Sequence, residues 1–292
     1  MADYFEIVQQ FENFIYEHDM EPPPKLIADG RLRRFYNQGD KRGTLNGAYK
    51  LCIDGRPAGY LENFRTGAKF NWKFDGPIQD FTPEERRKFA EQQRQRKEQR
   101  DREELAKNLN TANRAQHIMA NAKPVLNHPY LERKQVKAHG TKDYKGALVV
   151  PLFNASLRLM NLQFISADGT KRFLTGGQKK GCFWWIGGKT EKVLIAEGFA
   201  TAASLHQATG HQCFIAFDAG NLPSVAAIVR AKRPDATIVI CADNDTNGRG
   251  QQAAEEAALA CDGLIAMPDI EGFDFNDLLN DVTPKDSSHD GQ

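Results

Sequence analysis

None of the five cysteines (Cys52, Cys182, Cys213, Cys241, Cys261) belongs to a Cys-x-x-Cys pair, so a zinc site built on close paired ligands is excluded. Cys213 and Cys241 lie inside apolar, strand-like runs and read as buried thiols in a reducing compartment. His211 stands near Cys213 without further partners. No apolar run approaches membrane-spanning length, and Met1-Ala2-Asp3-Tyr4-Phe5-Glu6 has neither the basic nor the apolar segment of a secretory signal, so a cytoplasmic protein with no membrane partner is expected. Excess charge of one sign is missing too. Lys+Arg number 39 against 38 Asp+Glu, so the chain does not coat nucleic acid through a general positive field, and any such site must be a local patch. No repeat of fixed period is visible.

What remains is an ordinary globular composition, 40% hydrophobic and 26% charged over 292 residues, enough for one large or two modest domains. Residues 1–80 read as a small α+β module. Phe5, Ile7, Val8, Phe11, Phe14 and Ile15 recur at helical spacing, Pro22-Pro23-Pro24 ends that stretch, and strand-like pieces follow at 48–53 and 58–61 around an Asp54-Gly55 turn. Here Arg31, Arg33, Arg34, Lys41, Arg42 and Arg65 interleave with Phe35, Tyr36, Tyr60, Phe64 and Trp72. Such a mixture suits either a hairpin core or a nucleic-acid contact, and the core is the reading preferred. Thr82-Pro83-Glu84-Glu85 opens a polar helix that makes 81–123 a solvated spacer, with too few apolar positions for a coiled coil. Residues 124–190 are strand-rich, with candidate strands at 147–152, 162–165 and 172–174, a turn at Asp168-Gly169, and the densest basic patch of the chain: Lys171, Arg172, Lys179, Lys180, Lys189 and Lys192. Over 191–282, strands at 193–196, 213–216, 237–242 and 264–267 alternate with helices, which predicts a compact α/β unit on a parallel sheet. The polar stretch 283–292 is expected to be disordered.

The chemistry gathers at strand ends. Glu197 follows Val193-Leu194-Ile195-Ala196, and Asp243-Asn244-Asp245 follows Thr237-Ile238-Val239-Ile240-Cys241-Ala242. Parallel neighbours bring their carboxyl ends together, where ligands of such sheets bind. Acids clustered there repel one another unless a divalent cation relieves them, so a metal site is preferred to simple capping of the next helix.

Ala196-Glu197-Gly198-Phe199-Ala200-Thr201-Ala202 followed by Asp243-x-Asp245 resembles the Toprim domain of bacterial DnaG-type primases, topoisomerases, and the OLD and RecR families. Tyr130-Leu131-Glu132-Arg133-Lys134, the 150–174 strand pair ending in Lys171-Arg172-Phe173-Leu174, and Phe273-Asp274-Phe275-Asn276-Asp277-Leu278-Leu279 resemble further primase motifs. The wording of His128-Pro129-Tyr130-Leu131, Lys180-Gly181-Cys182-Phe183 and Ala216-Phe217-Asp218-Ala219-Gly220-Asn221 is similar to phage- and plasmid-borne Toprim primases.

The fold this resemblance implies is α/β. A Toprim-type parallel-sheet core carries a strand-rich N-terminal polymerase subdomain, preceded by the small α+β module and the long polar helix. The implied activity is primer synthesis from nucleoside triphosphates on single-stranded DNA, with Mg²⁺ or Mn²⁺ held by Asp243 and Asp245. Glu197 is implied either to complete the metal site or to move a proton, and Asp274 and Asp277 either to add an outer metal contact or to cap a helix. Asp218 is a second-tier candidate. Arg158, Lys171, Arg172, Lys179 and Lys180 are implied as nucleotide or nucleic-acid ligands, with a solvated surface run as the alternative. Phe183-Trp184-Trp185 is expected to pack on the core rather than stack a base. The zinc module of cellular primases is not seen, and a separate replicative helicase is the expected partner. A Toprim nuclease and a non-catalytic single-strand-binding accessory protein are the other readings.

Overall fold

Apolar runs rich in β-branched residues become strands buried on both faces when a helix follows each one. After Lys192 the chain repeats this arrangement three times. The computed structural model describes residues 4–280 apart from 38, 41–43, 54–55, 77–82 and 247, and the backbone alone at 83–86, 88–90, 92–93 and 96–97. The Asp54-Gly55 turn, the Thr82 cap, Asn247, and the tail from 283 lie outside the described residues. Among the described residues no helix is long and apolar enough to cross a membrane.

The chain divides into two units, Met1–Gln99 and Arg100–Gln292. In the first, α1 (Tyr4–Glu17) lies against an antiparallel sheet of β1 (Arg33–Phe35), β2 (Gly47–Cys52), β3 (Ala58–Asn63) and β4 (Lys69–Lys73) in sequential order. Strand alternation sends Phe35, Tyr49, Leu51, Leu61 and Trp72 into one core with Ile7, Phe11 and Ile15 of the helix. Gly59 makes room for it: a β-carbon there would stand 2.3 Å from the Phe11 ring. Of the aromatics named from the sequence, Phe35 and Trp72 enter this core, whereas Tyr36 is exposed and Tyr60 and Phe64 are half-buried outside it.

Helix α2 (Pro83–Asn121) crosses the division between the units. Its far end is not solvated, contrary to the spacer reading. Thr111, Ala112 and Ala115 are buried, Ala115 against Val149 and Leu162, and Thr111 Oγ1 donates to Thr175 O at 3.2 Å. Small side chains let a polar helix approach a sheet closely without an apolar stripe that a sequence pattern would show.

The second unit stacks two five-stranded sheets. One is antiparallel: β5 (Lys123–Pro124), β6 (Lys142–Tyr144), β7 (Ala147–Phe153), β8 (Leu159–Ile165) and β9 (Lys171–Phe173), in that order, with α3 (Pro129–Arg133) between the first two. The other contains β10 (Trp184–Ile186), β11 (Lys192–Ala196), β12 (Gln212–Ile215), β13 (Thr237–Cys241) and β14 (Leu264–Ala266) in the order β10-β12-β11-β13-β14. Helices α4 (Phe199–Thr209), α5 (Leu222–Lys232) and α6 (Arg249–Cys261) connect the parallel strands, and α7 (Phe275–Leu279) follows. β10 runs antiparallel at one edge, so the sheet is mixed, and the boundary expected near residue 190 falls earlier. Phe183 is buried, and Trp184 and Trp185 pack against the cores, in keeping with the packing role expected of them. The two sheets meet in a backbone bridge, Phe153 N to Phe183 O at 2.9 Å and Phe183 N to Phe153 O at 2.8 Å. Of the five cysteines, all free, Cys182, Cys213, Cys241 and Cys261 are buried, and burial pushes the Cys182 and Cys241 thiols up to about 12.

Candidate active site

Strand order fixes where a site can form. The chain leaves β11 toward β12 and then crosses back to β13, so connections depart in opposite directions from the β11–β13 pair and open a crevice at its carboxyl end. Ala196 is registered with Cys241 across that pair. Glu197 therefore lies just past one strand and Asp243 just past its neighbour. Asp218 arrives from the end of β12, whose backbone continues the ladder through Ala216 N to Ala196 O at 2.9 Å and Phe217 N to Glu197 O at 2.8 Å. Phe217 holds φ at 72°, a conformation that a bulky residue adopts only under constraint. Packing supplies that constraint: the ring is buried and meets Phe173 of β9 edge-on at 6.2 Å.

The carboxylates share one field. Burial first, then the charges of Glu197, Asp274 and Asp245, push Asp243 up to about 7. Burial and the charges of Asp218 and Asp245 likewise raise Glu197. Asp243 Oδ1 is buried with no hydrogen-bond partner among the described residues. Asp245 is exposed, and Gly250 of α6 lets it and its neighbour close in: a β-carbon there would lie 2.8 Å from Asp243 O and 3.3 Å from Asp245 Oδ2. The register sets Glu197 and Asp243 just past neighbouring strand ends. Among the described residues no three acidic, histidine or cysteine side chains stand close enough together to hold an ion. Asp274 caps α7: it accepts from Asn276 N at 2.6 Å and Asp277 N at 2.9 Å, and its own backbone N donates to Asp277 Oδ2 at 3.4 Å.

Two lysines of the basic patch reach the acids. Lys171 Nζ lies 3.6 Å from where a β-carbon on Gly198 would stand, and its charge draws both Glu197 and Asp243 downward. Lys179 Nζ sits 2.7 Å from Asp218 Oδ2 and 4.8 Å from the Phe173 ring centre. Charge rather than an aligned hydrogen bond holds that ion pair, since among the described residues Asp218 Oδ2 has no partner of hydrogen-bond geometry. Arg158, Arg172 and Lys180 are exposed on the same unit and make no side-chain bond among the described residues. A cleft of about 500 Å³ opens beside the acids, lined by Glu197, Asp218, Asp245, Arg249, Gln252 and Glu256.

One supporting residue was not assigned a role from the sequence. Asn221 looks like a cap for α5, with Pro223 close behind, yet its side chain makes no cap bond. It is buried and fastens the 179–182 loop to the end of β12. Its Oδ1 accepts from Gly181 N at 2.7 Å, and its Nδ2 donates to Ala216 O at 2.8 Å, Cys182 O at 2.9 Å and Lys179 O at 3.3 Å. Arg249 in the cleft was also missed, being the first residue of a helix with no pattern around it. Two motif segments far apart in the chain do meet: Lys134 Nζ pairs with Asp277 Oδ1 at 3.2 Å, and Asn276 Nδ2 donates to Lys134 O at 2.7 Å.

The chain is similar to known proteins. A Toprim domain model matches residues 192–284. A DNA primase TraC of Escherichia coli is 36% identical over 261 residues, covering 83% of this chain and 24% of that protein. A second Escherichia coli DNA primase TraC is 35% identical over 263 residues, covering 83% and 18%. The chain thus spans less than a quarter of the length of these relatives. Among solved structures, the primase fragment of the bacteriophage T7 primase-helicase protein is similar at 18% identity and a TM-score of 0.41, over 55% of this chain and 76% of that one. A likeness that loose carries no weight beside the sequence match. The stretch from 192 to 284, which the Toprim domain model matches, bears every carboxylate of the crevice.

Proposed function

We propose that this chain is a DNA primase core that joins nucleotides on single-stranded DNA, with Glu197, Asp243 and Asp245 at its centre. The observation that carries the proposal is Asp243 Oδ1, buried at the sheet's switch point and unpartnered among the described residues, on a carboxyl raised to about 7 by burial first and then by the acids around it. The name DNA primase on both relatives supports the reaction class.

Carboxylate oxygens suit a hard divalent cation, and a raised, partnerless Asp243 gains from one, so Glu197, Asp243 and Asp245 are the residues to hold Mg²⁺ or Mn²⁺. When bound, the ion supplies charge neutralisation at the triphosphate and polarises the attacking hydroxyl. In the transfer a 3′-oxygen bonds to the α-phosphorus as the bond to pyrophosphate breaks, and the hydroxyl proton leaves. Glu197, whose carboxyl is raised by burial and by the charges of Asp218 and Asp245, suits proton acceptance and ligation alike. Lys171 and Lys179, which lie beside the acids, suit phosphate oxygens, and Arg249 borders the same cleft. Arg158, Arg172 and Lys180 offer a more distant track for the template. Asp274 acts chiefly by holding α7 and adding negative field at Asp243. Nucleoside triphosphates and single-stranded DNA are the substrates this reading requires, a replicative helicase is the expected partner, and a cytoplasmic location follows from the substrates.

The deciding experiment incubates the purified chain with a single-stranded template, labelled nucleotides and Mg²⁺ or Mn²⁺. Labelled oligonucleotides are expected from the native sequence and none from Asp243→Ala. No product from the native chain, or equal product from the variant, overturns the proposal.

A further inference from the structure

The first unit holds a groove of its own, about 500 Å³ in size. It is walled by Glu12 and Tyr16 of α1, by Glu21 and the prolines 22–24, and by Tyr36 just past β1. Glu12 and Tyr16 are four residues apart, so one helix face presents both, each next in sequence to a residue that faces the core, Phe11 or Ile15. Three consecutive prolines keep the second wall extended and leave it without amide donors. Glu21 N donates to Oδ1 of the buried Asn37 at 3.1 Å, which ties that wall to the end of β1. Tyr36 OH donates to Asp40 O at 3.2 Å, so its ring is held in place although 49% exposed, and Tyr16 is 60% exposed. Two tyrosine faces are thus left in water at fixed positions. The lining contains two carboxylates and no cation, and neither Glu12 nor Glu21 has an ion-pair partner among the described residues.

We infer that this groove binds an extended, arginine-bearing and proline-containing segment of a partner protein. A guanidinium can lie flat on a tyrosine ring while its fork meets a carboxylate, and the groove supplies both groups side by side. Proline rings fill the spaces between exposed aromatic side chains, and a segment that is extended beforehand loses little freedom on docking. Phosphate is repelled by Glu12 and Glu21, so nucleic acid is not the occupant. The inference does not depend on what the crevice carboxylates catalyse.

An array of proline-containing decapeptides tests it, in matched sets that carry two arginines, two lysines, two alanines or two glutamates, probed with the labelled full chain. The arginine set should retain the chain most, the lysine set less and the glutamate set not at all. Anisotropy of the best arginine peptide should then show affinity about tenfold weaker for Glu12→Gln/Glu21→Gln, which preserves the groove's shape and should leave primer synthesis unchanged. Benzoylphenylalanine placed in that peptide needs no variant to fold, and should crosslink to native peptides bearing Tyr16 or Tyr36. No retention by any set, equal retention of the arginine and glutamate sets, native affinity in the double variant, displacement of the peptide by oligo-dT, or crosslinks confined to residues beyond Arg100 would each overturn the inference. Peptide binding by a native chain that makes no primers would sink the proposed catalysis and leave this site standing.

Discussion

At the carboxyl end of the β11–β13 pair, like charges are forced together in a half-buried crevice, whereas the two carboxylates of the groove beside α1 are set among tyrosine and proline faces. The first arrangement is costly: Asp243 and Glu197 both have raised pKa values because each is buried and, beyond that, sits in the field of the other acids. The second costs little, since Glu21 is exposed and Glu12 only half-buried, so that water reaches both. A site that must place reacting atoms relies on backbone termini and a buried amide such as Asn221, while a site that needs only to hold an extended peptide can rely on rings already at the surface. Crevice residues should therefore be individually indispensable, and residues of the groove individually dispensable.

The largest expected effect is at Asp243. Asp243→Asn should lower primer synthesis by about three orders of magnitude, as loss of several kcal/mol of transition-state stabilisation would, with single-turnover incorporation as the measurement. The same variant should melt at a higher temperature than the native chain in EDTA at pH 8, because it removes a crowded charge. A lower melting temperature would break the contrast.

Asn221→Ala comes next. It leaves four backbone groups of the 179–182 loop and β12 without their partner, so unfolding free energy should fall by about 2–4 kcal/mol in urea titration. Primer synthesis should fall as well, since Lys179 loses its placement. Full activity in a destabilised variant would separate loop position from chemistry.

Acidity gives a third. The folded pKa of Asp243, about 7, exceeds its unfolded value of 3.8, so the folded state binds the extra proton between those values. That stabilising contribution is fully present below about pH 4 and is lost as pH rises toward 7. Without divalent cation, the melting temperature should therefore decline from pH 5.5 to 8 by an amount corresponding to roughly 1–3 kcal/mol, and Asp243→Asn should flatten the decline. Added Mg²⁺ or Mn²⁺ should flatten it too. A pH-independent native chain would show that the acids do not share one field.

Tyr16→Ala alone marks the small end of the series. Affinity for the arginine peptide, read by anisotropy, should fall only about two- to threefold, since Tyr36 still offers its face. A loss as large as that of Glu12→Gln/Glu21→Gln would mean that the groove, too, is built around single residues.

Much of this was legible in the chain. The strands of the parallel sheet announce themselves because burial on both faces demands unbroken apolar runs, and the positions of Glu197 and Asp243 follow from where those runs end. β10 was not legible: Trp184-Trp185-Ile186 is too short to show a period, and its pairing with β12 is set by distant residues. The burial of Thr111, Ala112 and Ala115 escaped because small residues carry almost no hydropathy signal. Asn221 escaped because a buried amide that ties together loops some forty residues apart looks, locally, like a helix cap. The orientations of the carboxylate tips depend on counterions and side-chain rotation, which spacing does not encode.

The bridge between Phe153 and Phe183 has a consequence for how the second unit comes apart. Each of these amides donates across the seam, so neither proton can exchange with deuterium until the two sheets separate there. Heat or denaturant should then release the lysine-bearing layer and the carboxylate-bearing layer in one cooperative step, and partial opening that spares one of them should be rare.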